Sequence, residues 1–147
     1  MIIRDILNLK GNAIFSVAPQ RRVADAVAAM VQHDIGSLVV MDGGAMLGML
    51  TFREVLRGLD AQRGNLGDLP VRDVMVHDPL VCKPEDAAES VRDRMTREHV
   101  RYLPVMEQSQ LLGVISFHDI AKAAIKEASF ENRLLKRYIK NSPDQDG

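Results

Sequence analysis

The sequence predicts an α/β fold, more strictly α+β. Two tandem copies of one unit pack sheet to sheet about a pseudo-two-fold axis. Three observations predict it. The chain matches itself without a gap when residues 15–58 are laid on 80–123, an offset of 65 residues. Each copy carries helical apolar spacing, then two short strand-like runs joined by a polar turn, then a second helical stretch. One copy alone has too small a core to be stable, whereas two can bury their sheets and apolar helix faces against each other.

The repeat rests on eight identities among 44 aligned pairs: Pro19/Pro84, Met30/Met95, Leu38/Leu103, Val40/Val105, Met41/Met106, Leu47/Leu112, Gly48/Gly113 and Phe52/Phe117. Chance would give roughly three at typical residue frequencies. The identities also cluster: from Leu47–Val55 against Leu112–Ile120 every pair is identical or conservative except Arg53/His118. Upstream, Arg4-Asp5-Ile6-Leu7 echoes Arg72-Asp73-Val74-Met75 at an offset of 68, so the first copy holds three extra residues, placed around Asn8 to Asn12.

Val23, Ala26, Val27, Met30 and Val31 recur at helical spacing, as do Ala87, Val91 and Met95. Leu38-Val39-Val40-Met41 is a strand by its shortness and its bounding turn residues. Asp42-Gly43-Gly44 is a turn, because glycine reaches positive φ without steric cost, and Glu107 to Gln110 is its polar counterpart. Met46 to Thr51 and Leu111 to Ser116 are the returning strands. Arg53 to Leu59 and His118 to Ile125 are closing helices. Ala61 to Asp68, polar and glycine-containing, is a linker. Phe130, Leu134, Leu135, Tyr138 and Ile139 mark one face of a further helix, and Ser142 to Gly147 read as a frayed tail. The expected organisation is repeat 1 over 1–60, linker 61–70, repeat 2 over 71–126, C-terminal helix 127–141 and tail 142–147.

Composition narrows the function classes. The 147 residues are 46% hydrophobic and 27% charged, with a net charge of -1, so no basic field exists to hold nucleic acid. The apolar runs are too short to span a bilayer, and the first residues lack the order of a signal peptide. Cys82 is the only cysteine, which excludes an internal disulfide and suits a reducing, cytoplasmic compartment. His33, His77, His99 and His118 show no metal-ligand spacing with Cys82, which reads as strand filling. The eight methionines read as core. No base, nucleophile or metal set is apparent, so an enzyme is the least favoured class.

The pattern resembles the CBS-domain family. Its most specific parts are Ile35-Gly36-Ser37-Leu38-Val39-Val40 with Gly48-Met49-Leu50-Thr51-Phe52-Arg53-Glu54. The second-copy equivalents are Val100-Arg101-Tyr102-Leu103-Pro104-Val105 and Gly113-Val114-Ile115-Ser116-Phe117-His118-Asp119. The resemblance implies a disc-shaped pair with two inter-repeat clefts, a regulatory role with no required cofactor, and an adenosine-containing ligand (AMP, ADP, ATP, NAD or S-adenosylmethionine). It also implies frequent dimerisation. A homodimer is therefore expected, paired through the helices after each second strand, with the tail helix covering exposed apolar surface. An effector protein on another chain is expected too. The alternative is a dimerising scaffold whose clefts are degenerate.

Ser116 and Asp119 match the family's Ser/Thr-x-x-Asp signature. A carboxylate offers two oxygens to the paired ribose hydroxyls, and exposed amides at a helix start suit a phosphate. The plain structural alternative is an N-cap serine and a first-turn acid. The resemblance implies that each cleft is shared between copies. The first and stronger cleft then comprises Gly36, Ser37, Val114, Ser116, His118 and Asp119, with Gly36 leaving room for a purine and His118 adding a donor. The second and weaker cleft comprises Met49, Thr51, Arg53, Glu54, Arg101 and Tyr102. There Glu54 departs from the family aspartate by one methylene and has Arg53 beside it to neutralise it. Tyr102 would stack on a base and Arg101 would meet phosphate through its planar fork. The family often has threonine where this chain has Arg22 and Ala87. Arginines there oppose the helix dipole, so Arg21 and Arg22 are either solvated surface or contacts for an anion.

Overall fold

The computed structural model describes residues 1–11 and 13–140; Asn12, residue 141 at the end of the expected C-terminal helix and the expected tail, 142–147, lie outside the described residues. The first copy contains helix α1 (Ile3–Lys10), strand β1 (Ser16–Val17), helix α2 (Val23–His33), strands β2 (Ser37–Asp42) and β3 (Ala45–Thr51), and helix α3 (Phe52–Ala61). The second opens on a 3-10 turn (Val71–Asp73), followed by strand β4 (Val76–His77), helix α4 (Ala88–Glu98), strands β5 (Tyr102–Glu107) and β6 (Gln110–Ser116), and helix α5 (Phe117–Lys140).

The two copies repeat down to register. Ser37 faces Thr51 and Tyr102 faces Ser116 at the same offset, and both hairpins slip register at one place, Val40/Met41 and Val105/Met106. In the first turn Gly43 and Gly44 take positive φ of 57° and 83°; in the second, Gln108 takes 57°. Helices α2 and α4 both stop on a left-handed residue, Asp34 or His99, whose amide closes on the last turn. Gly36 lies two residues beyond the first of these caps.

The entry segments are exchanged between the copies. Val71 and Met75, which begin the second copy, are buried with Val23, Ala26, Leu38, Val40 and Leu50 of the first. Ile3, Ile6 and Leu7, which begin the first, are buried with Val91, Met95, Leu103, Ile115 and Ile120 of the second. The backbone obeys the same symmetry. Ile3 N–H donates to Asp86 O at 3.0 Å as Val71 N–H does to Arg21 O at 2.8 Å, and Ala88 N–H donates to Met1 O as Val23 N–H does to Leu69 O. Burying each apolar side chain contributes on the order of 1.5–3 kcal/mol. The exchange therefore makes each core depend on both copies.

One asymmetry positions the clefts. In the first copy β4 pairs antiparallel with β3, completing a four-stranded sheet β1-β2-β3-β4, whereas β5-β6 stands as a two-stranded sheet. The extra residues of the first copy extend the entry turn into the eight-residue α1, and that helix covers β6 where a strand covers β3. The paired glycines fit both arrangements. A Cβ on Gly48 would stand 2.1 Å from Val76 O, and one on Gly113 would stand 3.1 Å from Leu7 Cδ2.

The closing helix of the second copy and the expected C-terminal helix are one uninterrupted element, α5. Its last buried residue is Ala123, and Phe130, Leu134, Leu135, Tyr138 and Ile139 are exposed. Within the single chain this segment therefore covers no apolar surface. Among the described residues, no helix is long and apolar enough to cross a membrane.

Candidate functional site

Thr51 ends β3 and caps α3, and Glu54 is the third residue of that helix, a spacing that closes a capping box. Glu54 Oε1 accepts the Thr51 amide at 2.8 Å and the Thr51 hydroxyl at 2.7 Å. Its other oxygen, Oε2, receives no hydrogen bond from the described residues. Glu54 itself is buried and lines a cavity of about 380 Å³. The walls are Met49, Thr51, Arg53, Leu56 and Arg57 from the first copy, Val76, Pro79 and Leu80 from the segment entering the second, and Val100, Arg101 and Tyr102 from the second. All six residues expected of the Glu54 cleft line this one cavity.

Their roles differ in part from expectation. Arg53 does not neutralise Glu54; its Nη2 donates to His99 O at 2.6 Å, tying α3 to the end of α4. Neighbouring helical residues point about 100° apart, so an i,i+1 pair does not meet. Arg101 lies over the Phe52 ring, 5.6 Å from its centroid, and Tyr102 meets Phe52 edge-on at 6.4 Å. Tyr102 also takes the room at Gly36, where a Cβ would stand 2.1 Å from its hydroxyl. Gly36 thus makes space for a tyrosine rather than a purine. Burial pushes the Tyr102 phenol up, with the Asp119 charge adding to it and Arg101 opposing.

The Asp119 cleft is filled from within the chain. Ser116 and Asp119 form the same box at the start of α5: the Ser116 amide donates to Asp119 Oδ2 at 2.9 Å, and the Asp119 amide donates to Ser116 Oγ at 3.0 Å. Lys10, at the end of α1, donates from Nζ to Asp119 Oδ2 at 2.6 Å and to Val114 O at 2.8 Å. Burial alone would raise the Asp119 carboxyl, but Lys10, with the Ser116 amide and hydroxyl, outweighs it and holds the group below the usual carboxylate range. A recess of about 70 Å³ remains, walled by Ile6, Leu9, Lys10, Asp119, Lys122, Ala123 and Lys126. Gly36 lines a different, open groove with Val27, Met30, Val31 and Phe52. Ser37 starts β2 opposite Thr51, and His118 is exposed on the first turn of α5. The expected ranking of the clefts is therefore reversed in available volume. The lengthened α1 walls this cleft with Ile6, Leu9 and Lys10 and also sets the Lys10 ammonium on the Asp119 carboxylate.

The CBS-domain profile matches residues 3–61 and 71–126. The chain belongs to the CBS-domain family. The CBS domain-containing protein YhcV of Bacillus subtilis (strain 168) is 31% identical over 108 residues, covering 74% of this chain and 76% of its own length. The crystal structure of a CBS-domain containing protein from Agrobacterium tumefaciens has a TM-score of 0.81 at 28% identity, covering 84% of this chain and 99% of that one. A CBS domain pair solved in complex with 5′-methylthioadenosine and S-adenosyl-L-methionine has a TM-score of 0.75 over 86% of this chain and 98% of its own, at 17% identity, a likeness of fold.

In this CBS pair, Lys10, Phe52, Leu56, Arg57, Val76, Pro79 and Leu80 shape the clefts without having been named among the cleft residues expected from the sequence. Arg57 had a signal, standing three residues after Glu54 on the same helical face. Lys10 had one too, since it lies in the stretch that breaks the repeat. Val76, Pro79 and Leu80 had none, because they reach the cavity only through the β3–β4 pairing. Arg22 does not wait for an anion: its guanidinium pairs with Asp25, Nη2 to Oδ1 at 3.1 Å. Cys82 is buried beside Val105 and its thiol is pushed up to about 12, chiefly by burial. Among the described residues no cluster of His, Cys, Asp and Glu forms a metal site.

Proposed function

We propose that this CBS pair is a sensor module that binds an adenosine ribonucleotide carrying 5′-phosphates in the Glu54 cleft. One observation carries the reading: Glu54, whose second carboxylate oxygen receives no hydrogen bond from the described residues, lines one cavity together with Arg57 and Arg101. Neither arginine has a carboxylate partner among the described residues. A carboxylate accepts ribose hydroxyls, and planar guanidinium forks suit phosphate. The volume of about 380 Å³ falls in the range of small-molecule sites. Adenine as the base rests on the family, one of whose structures holds 5′-methylthioadenosine, a thioether, and S-adenosyl-L-methionine, a sulfonium. Those ligands lack phosphate, and the paired arginines favour a phosphate-bearing ligand for this chain. Because the cleft is walled by both copies, occupancy changes the geometry of the pair, which is the signal an effector protein would read.

Titration calorimetry with AMP, ADP, ATP, GTP, 5′-methylthioadenosine and S-adenosylmethionine tests the proposal. Adenine nucleotides with phosphate should bind, the two phosphate-free adenosine compounds should bind more weakly, and Arg57→Ala or Arg101→Ala should each cost about tenfold. That factor is what one charge-assisted hydrogen bond contributes at its lower limit. A panel without heat or thermal shift would instead support the scaffold reading, which the filled Asp119 cleft already favours for that half of the molecule.

A further inference from the structure

Helix α5 sorts its charges by side. Successive helical residues turn by about 100°, and on that count Lys122, Lys126, Arg133, Lys136, Arg137 and Lys140 all fall within one sector of about 100°. Ser129 is the one uncharged residue inside that sector between Lys122 and Lys140, whereas Glu127 and Glu131 stand on the far side of the helix. All six cations are exposed, and none has a carboxylate partner among the described residues. They form a row about 27 Å long at ~1.5 Å per residue. Arg133, Lys136, Arg137 and Lys140 lie past residue 126, where the family match ends, so most of the row is this chain's own. At its first end the row meets a concave feature. Lys122 and Lys126 wall the recess beside Asp119 together with Lys10, so three ammonium groups share that space with one carboxylate. Asp119 already holds Lys10 at 2.6 Å, which leaves Lys122 and Lys126 uncompensated.

We propose that this row docks an acidic segment of another protein, with one of that segment's Asp or Glu side chains seated in the recess. Charge complementarity selects the class of partner, and the recess selects within it. Its volume of about 70 Å³ excludes a nucleotide, which needs roughly 300 Å³ or more, and admits a single side chain. Its remaining walls are Ile6, Leu9 and Ala123, so the occupant should bring methylene groups behind its negative charge. A glutamate does so and a phosphodiester does not. A row one helix side wide, on a chain of net charge -1, is no broad field for nucleic acid, and a flat bilayer does not enter a recess. None of these residues lines the Glu54 cavity, so docking here stands without nucleotide binding there.

Fluorescence anisotropy with the full chain tests this, using a labelled oligoglutamate of about sixteen residues, long enough to follow most of the row at ~1.5 Å per residue. The peptide should bind at low salt and more weakly as salt rises, since the cations are exposed. Replacing Lys122→Glu and Lys126→Glu together should lower its affinity about tenfold or more. Because that pair could loosen the packed start of α5, Arg133→Glu with Arg137→Glu repeats the measurement on the exposed half and should lower the affinity as well. Leu9→Asp, on the recess wall and off the row, should also weaken binding. The control pair Arg63→Glu with Arg97→Glu makes the same change of charge at exposed positions elsewhere and should leave binding within about twofold. Absence of binding at low salt would overturn the proposal. So would an equal loss in the control pair, which would make the attraction one of net charge alone. Tighter binding of an oligothymidylate of the same length, or of phosphatidylserine vesicles, would overturn it in favour of nucleic acid or a membrane surface.

Discussion

Lys10 Nζ sits 2.6 Å from Asp119 Oδ2, and this contact makes one cleft unlike the other. The Asp119 carboxyl is lowered in the folded chain, so the pair's stabilisation is fully present above the unfolded carboxylate value, about 3.9, and is lost as pH falls through the lower folded value. Lys10→Met should let the Asp119 titration move up, since burial then acts with only the Ser116 bonds against it. The Lys10 side chain is 34% exposed, so the stability loss at neutral pH should be at most about 1 kcal/mol and should disappear in acid. Titration of Asp119 by NMR in both proteins checks this, and identical curves would show that the lysine does not hold the carboxylate. The glycines give a second contrast. Gly36→Ala should cost about 1–3 kcal/mol through its clash with the Tyr102 hydroxyl, and Tyr102→Phe should recover part of that loss. Gly48→Ala meets the Val76 backbone instead, so no side-chain change should rescue it. Urea unfolding of the single and paired variants decides both claims.

At the scale of elements, exchange of the entry segments predicts where stability resides. Ile6 belongs to the first copy by sequence and to the second by packing, and Ile6→Ala should cost about 2–5 kcal/mol, with loss of protection from hydrogen exchange concentrated in β5 and β6. Leu9, 70% exposed one turn on, should tolerate alanine within about 0.5 kcal/mol. Loss confined to β2 and β3 after Ile6→Ala would contradict the exchanged packing. Much of this architecture was legible beforehand, because the Leu47–Val55 and Leu112–Ile120 match names a strand-to-helix junction twice. The exchange was not, since Arg4-Asp5-Ile6-Leu7 and Arg72-Asp73-Val74-Met75 show that an entry repeats without saying which core receives it. The junction in α5 was misread because apolar spacing shifts after Ile125, yet Lys126 to Ser129 contains no proline or glycine to stop a helix. For the site, residue types and cleft membership around Glu54 could be read from the family motif. The closure of the Asp119 cleft could not, because it depends on how far α1 extends.

At the scale of the whole molecule, the two-fold repeat implies two sites, and the clefts beside Glu54 and Asp119 are unequal in room. These two clefts hold about 380 Å³ and 70 Å³, and a nucleotide needs a volume of roughly 300 Å³ or more. Calorimetry should therefore report one ligand per chain. Lys10→Met tests whether the lysine alone closes the second cleft. The α1 backbone stays anchored by Ile3, Ile6 and Leu7, and Leu7 still packs against Gly113, so stoichiometry should remain one even though Asp119 has lost its partner. A count of two in the unmodified chain would mean that α1 gives way to ligand and that the Lys10 contact is a competitor rather than a plug. A count of two only after Lys10→Met would place the closure in the ammonium instead of the helix. Occupation of the single cleft should also stabilise both copies at once, since Arg53 joins α3 to the His99 carbonyl beside the cavity and each core contains the other's entry segment. At 100 times the dissociation constant a single-site ligand adds about 2.7 kcal/mol, and in a coupled pair that gain should appear as one shifted unfolding transition. Two transitions, with only one of them moved by nucleotide, would show that the copies sense the ligand separately and that the exchange does not transmit it.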